Sequence, residues 1–222
     1  MNGIFNYDNK VFEILGKAVD WVYIGILWLI FSLPVVTIGA STTALYETVH
    51  KVIRKSKGYV WRTFWTTFKT NFKKTTKIWL IQLVVIAVLF LDMKIMQNFL
   101  EQGSKLGSLY YFFYISLFFM YVWVVYTCAY AARIEDSVKT IMKNAAFMAV
   151  MNLPWALVII VLFIAAVILV SVSPICAVIL PTGVFLLYDM ILMRVFNKYI
   201  NMADEDKVEE SSEDCIVRKI ED

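Results

Sequence analysis

Between Lys143 and Asp189 the chain runs for 45 residues without an Asp, Glu, Lys or Arg. As one helix rising about 1.5 Å per residue, that run would reach about 68 Å, more than twice the roughly 30 Å hydrocarbon core of a bilayer. It must therefore fold back on itself. The turn falls at Ser171-Val172-Ser173-Pro174. The residue before a proline resists the helical region, and Ser173 offers a cap to the helix that follows. This predicts two spans, over about 154–172 and 174–193.

The rest of the chain continues the pattern. Hydrophobic residues make up 60% and charged residues 18%, against roughly 45–50% and about 25% in soluble domains. That excludes a disordered chain, a collagen-like chain and a basic nucleic-acid module, and it disfavours an ordinary soluble enzyme. A first span is expected over 21–41, bent at Pro34, where proline removes one ladder hydrogen bond. A second, over 76–96, has a short apolar kernel, Ile78 to Leu91, that Lys77, Asp92 and Lys94 would extend by snorkelling. Its alternative is a buried helix that does not cross. A third, over 107–132, carries Tyr110, Tyr111 and Tyr114 at one end and Tyr126 and Tyr130 at the other, as at two headgroup layers. The expected fold is all-α: a polytopic membrane helix bundle of five transmembrane helices with amphipathic cytoplasmic helices, one domain over residues 1–203. The tail, 204–222, carries nine acidic residues and is expected to be disordered in the cytoplasm.

Counted outside the apolar kernels of these spans, Lys and Arg divide 17 to 4 between alternate segments. The richer side is cytoplasmic by the positive-inside rule. The N-terminus is then expected outside and the C-terminus inside the cell (plasma) membrane, which an odd number of spans requires. The first 20 residues lack the pattern of a cleavable leader, and a short helix in the outer interface is expected there.

The segment before the second span is the most informative soluble part. Trp61, Phe64, Trp65, Phe68 and Phe72 recur at three- and four-residue spacing, with Lys69, Asn71, Lys73, Lys74 and Lys77 among and after them. One helical face is thus aromatic. Two readings stand: the face binds anionic lipid of the inner leaflet, or it packs on the bundle while the lysines fix topology. A second amphipathic helix is expected over 134–152, capped by Asp136 or Ser137, with Ile141, Ala145, Met148 and Met151 or Asn152 on one face. Nothing accompanies the basic segment that would read nucleic acid.

The search for chemistry yields little. His50 is the single histidine, which excludes a histidine metal cluster. Cys128, Cys176 and Cys215 have no paired spacing, and no phosphate loop, dinucleotide fingerprint, nucleophile elbow or zinc-protease motif occurs. Neither catalysis, a metal nor a cofactor is expected. The ionisable residue nearest mid-membrane is Asp189. It reads either as an interfacial carboxylate paired with a nearby Lys or Arg, Arg194 lying five residues on, or as an inner-gate charge. Gln82 reads as an interhelical hydrogen bond. Pro34 and Pro181-Thr182-Gly183 interrupt spans, either for packing or to free carbonyls at a binding site.

Two stretches carry a resemblance. One is Ser32-Leu33-Pro34-Val35-Val36-Thr37-Ile38-Gly39-Ala40 leading into Thr42-Thr43-Ala44-Leu45-Tyr46; the other is Phe64 to Phe68 followed by Lys69-Thr70-Asn71-Phe72-Lys73-Lys74-Thr75. Together with Phe12 to Asp20, this resembles the YesL-like family of small bacterial membrane proteins, common in Firmicutes and without an established molecular function. The resemblance covers about residues 10–80 and continues beyond as a hydropathy pattern. It implies an association with carbohydrate uptake, with ABC importer subunits or a sensor kinase as candidate partners, and it carries over no catalytic or binding residues. The leading expectation is a non-enzymatic accessory or regulatory component of such a system; the alternative is a small transporter or channel for a neutral solute or lipid. A homo-oligomer is a further candidate assembly. Pro34, Gly39, Trp61, Phe64, Phe68, Lys69, Asn71, Phe72, Lys73 and Asp189 are the candidate structural or interaction residues, with the small residue Gly39 predicted to sit at a tight helix crossing.

Overall fold

The computed structural model describes residues 10–196; the acidic tail lies outside them. The described residues form helices and turns only, with no strand. In chain order the helices are α1 (Lys10–Ser32), α2 (Ile38–Thr48), α3 (Val60–Glu101), α4 (Leu109–Arg133), α5 (Val138–Met151) and α6 (Leu153–Val172), then α7 (Cys176–Phe196). Five segments are long and apolar enough to cross a membrane: Leu15–Ser32, Val60–Glu101, Lys105–Arg133, Leu153–Val172 and Cys176–Phe196.

The first span departs from expectation. Pro34 does not bend a helix over 21–41; it ends one. Leu33 precedes the proline, and Pro34 itself is extended at φ −75° and ψ 118°. The Thr37 hydroxyl donates to the carbonyls of Phe31 at 2.7 Å and Pro34 at 2.8 Å, taking up acceptors the broken ladder leaves open. The chain then folds back. Trp28 Nε1 donates to Thr42 Oγ1 at 3.3 Å, and Ser41 Oγ donates to the Trp28 carbonyl at 3.1 Å. Residues 28 and 42 of one straight helix would stand about 21 Å apart. The first apolar crossing segment is therefore Leu15–Ser32, and the small residues after Pro34 belong to a separate helix.

That helix, α2, is buried all round, from Gly39 to Thr48. It passes into a π-helical stretch, Val49–Arg54, which widens the last turns and keeps His50 and Val52 buried. Close approach is what the glycines supply. A Cβ on Gly39 would lie 2.5 Å from Trp79 Cβ on α3, and one on Gly25 only 1.8 Å from the Val178 carbonyl oxygen on α7. α7 runs unbroken through Pro181. Its Thr182 hydroxyl donates to the Trp21 carbonyl at 3.0 Å, and Gly183 lies under the Trp21 ring. The Pro181-Thr182-Gly183 segment thus seats α1 rather than interrupting α7.

α3 merges two expected elements. The basic-aromatic helix and the second span are one helix of 42 residues, about 63 Å long. At the other end of the bundle, Ser137 caps α5 by accepting from the Thr140 amide at 3.3 Å, while Asp136 accepts from the Tyr130 hydroxyl at 2.8 Å. Ile141, Ala145 and Met148 are buried on α5, whereas Met151 at its last turn is exposed and Asn152 caps the end instead of extending that face. α2, α4 and α7 meet beside this end, and their meeting point holds the polar cluster described next.

Candidate functional site

Asp189 on α7 is fully buried, at 0% exposure, and three donors from two other elements converge on its carboxylate. From the π-helical stretch, His50 Nδ1 lies 2.9 Å from Oδ2 and Arg54 Nη1 donates to Oδ2 at 2.8 Å. From the end of α4, Arg133 Nη2 donates to Oδ1 at 2.7 Å. The π-helix places His50 and Arg54 one turn apart on the same face. A buried carboxylate is tolerable only when paired and hydrogen-bonded, and here both oxygens are taken. Arg194, five residues on in the sequence, stacks over the Trp155 ring at 5.7 Å.

The arginine on α4 is held firmly but supplied poorly. Its guanidinium lies over the rings of Tyr46 at 5.2 Å and Phe196 at 5.9 Å. Nη1 donates to the Met193 thioether, and Nε is buried without an acceptor. The Tyr46 hydroxyl is buried next to the Asp189 carboxylate. Burial raises the pKa of that hydroxyl, which keeps it a donor. Glu47, next along α2, gives Oε1 to Lys51 at 2.8 Å, and its Oε2 is buried and unpaired.

A cavity of about 870 Å³ stands beside the cluster, within the range of roughly 300–1,000 Å³ usual for small-molecule sites. Its walls are apolar and mostly aliphatic, with aromatic rings such as those of Trp28, Trp79, Tyr114, Tyr121 and Phe163 among them. Charged residues are absent from the lining. Three of its walls lead to the cluster along helix faces. Thr42 and Phe185 line the cavity, and Tyr46 and Asp189 follow them four residues later on the same faces. Val125 lines it as well, with Arg133 two turns on. The Tyr121 hydroxyl meets that of Tyr188 at 3.1 Å, and Tyr188 donates to the Ile159 carbonyl at 3.1 Å. This tyrosine pair ties α4, α6 and α7 together at the cavity wall.

The aromatic face of α3 divides. Phe64 is fully buried and Phe68 nearly so; both pack on Phe31, with centroids 5.5 and 5.1 Å away. Trp61 stacks on Trp65 at 5.7 Å yet stays 48% exposed, and Phe72 borders Phe68 at 5.3 Å. Lys69 sits over the Trp65 ring at 4.7 Å. Asn71 donates to the Thr67 carbonyl at 3.2 Å, and Lys73 is exposed. The centre of the face is therefore bundle packing, and its edge is free. Pro34 and Gly39 lie at the α1–α2 turn and the α2–α3 contact. None of these is near the Asp189 cluster except through α2.

Residues 21–93 match the model of a family described as Protein of unknown function, DUF624. The match runs from α1 through most of α3, so it takes in Tyr46, His50 and Arg54 but neither Arg133 nor Asp189. No curated protein and no solved structure matches the chain. Sequence reasoning named Asp189 but not Arg54 or Arg133 as its partners. Arg133 and Arg54 stand 56 and 135 residues away from it, and no spacing rule links such positions. The local trace was the His50/Arg54 pair, four apart beside a buried-looking helix.

Proposed function

We propose that the protein holds an apolar solute or the acyl part of a lipid inside its bundle, as a small transporter or channel for a neutral solute or lipid. The cavity carries this reading: its lining is aromatic and aliphatic and its size suits a small molecule. The test is photolabelling of the purified protein with a diazirine-bearing fatty acyl probe, followed by peptide mapping. Label should appear on α4, α6 and α7 and should fall when Ala166→Phe or Ala177→Phe fills the space. Label confined to the outer surface of the helices, unaffected by both substitutions, would argue against the reading. Movement of solute by the protein alone in liposomes then separates a carrier from a binder.

A second reading keeps the protein as a non-enzymatic accessory or regulatory component of carbohydrate uptake. It draws on the resemblance to the YesL-like family and on the free aromatic edge of α3, where Tyr59 and Trp61 are exposed. ABC importer subunits or a sensor kinase are the partners it expects. Gentle purification with mass spectrometry of co-eluting chains tests it, and a homo-oligomer without such partners would weigh against it. Both readings place the chain in a bacterial plasma membrane with its N-terminus outside. The 17-to-4 division of Lys and Arg supports that orientation. Labelling of single cysteines near each end by an impermeant maleimide on intact cells tests it: the N-terminal site should react and the C-terminal one should not. Protection of both would mean that α2 counts as a return crossing.

A further inference from the structure

We propose that the basic face on the N-terminal half of α3 is a docking surface for an acidic segment of the same chain, residues 204–214. The proposal goes beyond both readings above and does not depend on what fills the cavity. Arg62, Thr66, Lys69, Lys73 and Lys77 follow one another at steps of three or four residues, and all are exposed. That spacing sets them in one row along the helix, about 22 Å from first to last. The row lies opposite the packed side of α3, where Phe64, Thr67, Phe68, Thr75 and Ile78 are buried. No Asp or Glu occurs between Glu47 and Asp92, so α3 offers these cations no partner of its own along the row.

The neighbouring helices do not supply one either. Glu47 pairs with Lys51 at 2.8 Å, Asp136 accepts from Tyr130, and Asp189 holds His50, Arg54 and Arg133. Among the described residues, Arg62, Lys69, Lys73 and Lys77 form no ion pair. Residues 204–214 are the charge complement, with seven acidic residues against the single cation Lys207. They are also within reach. Arg54 Nη1 meets Asp189 at 2.8 Å, so the entry to α3 at Val60 and the end of α7 at Phe196 lie at the same end of the bundle. Asp204 follows Phe196 by eight residues, a reach of up to about 28 Å, and the eleven residues from there can follow the whole row when extended. A lipid surface is the other anionic partner for a basic face, but here the row runs along a crossing helix. α3 has 42 residues, about 63 Å against about 40–45 Å for a bilayer with its headgroups. At the usual tilt of about 20° its N-terminal turns pass beyond the headgroups, which meet only the turn at Lys73 to Lys77. Docked there, the acidic segment covers the edge beside Trp61 and Phe72 that is otherwise exposed.

The experiment treats the full chain with a carbodiimide, which joins a carboxylate to a lysine in direct contact, and maps the links by mass spectrometry. It is run in nanodiscs of phosphatidylcholine alone and of phosphatidylcholine with phosphatidylglycerol, on a mixture of isotope-labelled and unlabelled protein. Links should join the acidic residues of 204–214 to Lys69, Lys73 and Lys77 of the same copy, in both lipids. They should disappear at about 1 M salt, where charges are screened within about 3 Å. Removal of residues 204–222 supplies the second measurement. Four exposed ion pairs together bias the chain towards the docked state by roughly fivefold, so acetylation of Lys69, Lys73 and Lys77 should speed up by about that factor. Lys94 and Lys105, at the other end of α3 and beyond it, should react as before. Absence of the links in phosphatidylcholine overturns the proposal, as does unchanged acetylation of the three lysines after truncation. Links that vanish when phosphatidylglycerol is added assign the face to lipid, and links mainly between labelled and unlabelled copies assign it to a second chain; either result overturns it too.

Discussion

α2 and α6 invert the rule learned from soluble proteins. α6 is an unbroken apolar helix, yet only Ala156 and Ile159 on it are buried. α2 carries Ser41, Thr42, Thr43, Glu47 and Thr48 and is buried from Gly39 onwards. In a bilayer the apolar helix is the one facing solvent, because the solvent is hydrocarbon. Burial goes instead to the helix whose polar groups need protein partners. Thr43 and Thr48 donate to the carbonyls of Gly39 and Ala44 at 2.8 and 2.7 Å, one turn back, and so carry their polarity without exposing it. Hydropathy in this chain marks the outward faces of the bundle, and polar side chains mark its centre.

The largest test of that contrast is Asp189→Asn. Removing the carboxylate's charge leaves two arginines around a neutral amide, and breaking one partner of a buried pair costs about 3–5 kcal/mol. The lower end applies, since Arg54 reaches solvent. The matched change on α6 is Val161→Ala, at a side chain 63% exposed to the surroundings of the bundle, where an effect within about 0.5 kcal/mol is expected. Thermal unfolding of the detergent-solubilised variants measures both. Equal losses would mean that Asp189 is not a structural post, and the comparison between the two helices would fail.

Glycines give the next largest effect. Gly25→Ala drives a methyl into the Val178 carbonyl, which is backbone and cannot rotate away, and Gly39→Leu meets Trp79 and Thr75. Overpacking of this kind costs about 1–3 kcal/mol. Gly16→Ala, with nothing within 4 Å of its Cβ, should leave the protein unchanged or slightly more stable, by up to about 1 kcal/mol from helix propensity. Monodispersity on size exclusion and the unfolding midpoint read out the series. A Gly16→Ala loss as large as that of Gly25→Ala would remove the close contacts as the cause.

These positions also mark how far the sequence could be read. Charge-free runs located the crossing helices, because a bilayer imposes length and apolarity on each one separately. The turn at Ser171 to Pro174 was legible for the same reason. The break at Pro34 was not, since proline is compatible with both a bent and an ended helix, and the deciding contacts, Trp28 with Ser41 and Thr42, depend on α2 having somewhere to pack. The aromatic face of α3 was visible as a stripe, but which half is buried depends on Phe31, 33 residues before Phe64. At the candidate site Asp189 stood out as a charge in an apolar run. Its donors did not, because positive residues near helix ends are expected on topological grounds alone. Among the described residues Arg133 and Arg54 are the arginines that pair with Asp189, which is a property of the packed bundle.

The smallest effect tests whether uncharged polarity in the centre is as cheap as α2 implies. Gln82 on α3 is buried and donates through Nε2 to Thr127 Oγ1 at 3.0 Å; that hydroxyl in turn donates to the Trp123 carbonyl at 2.6 Å. Gln82→Leu removes one bond, keeps the volume close, and leaves Thr127 with its own acceptor. Interhelical hydrogen bonds of this type average about 0.6 kcal/mol, because the alternative states in the membrane also find partners. A midpoint shift near the limit of detection is therefore expected, well below that of Asp189→Asn. Gln82→Glu should cost distinctly more at neutral pH, since it places a carboxylate beside Thr127 with no cation to meet it. If Gln82→Leu cost as much as Asp189→Asn, charge would not be what separates the Asp189 cluster from the rest of the polar interior, and α2 would owe its burial to hydrogen bonding alone.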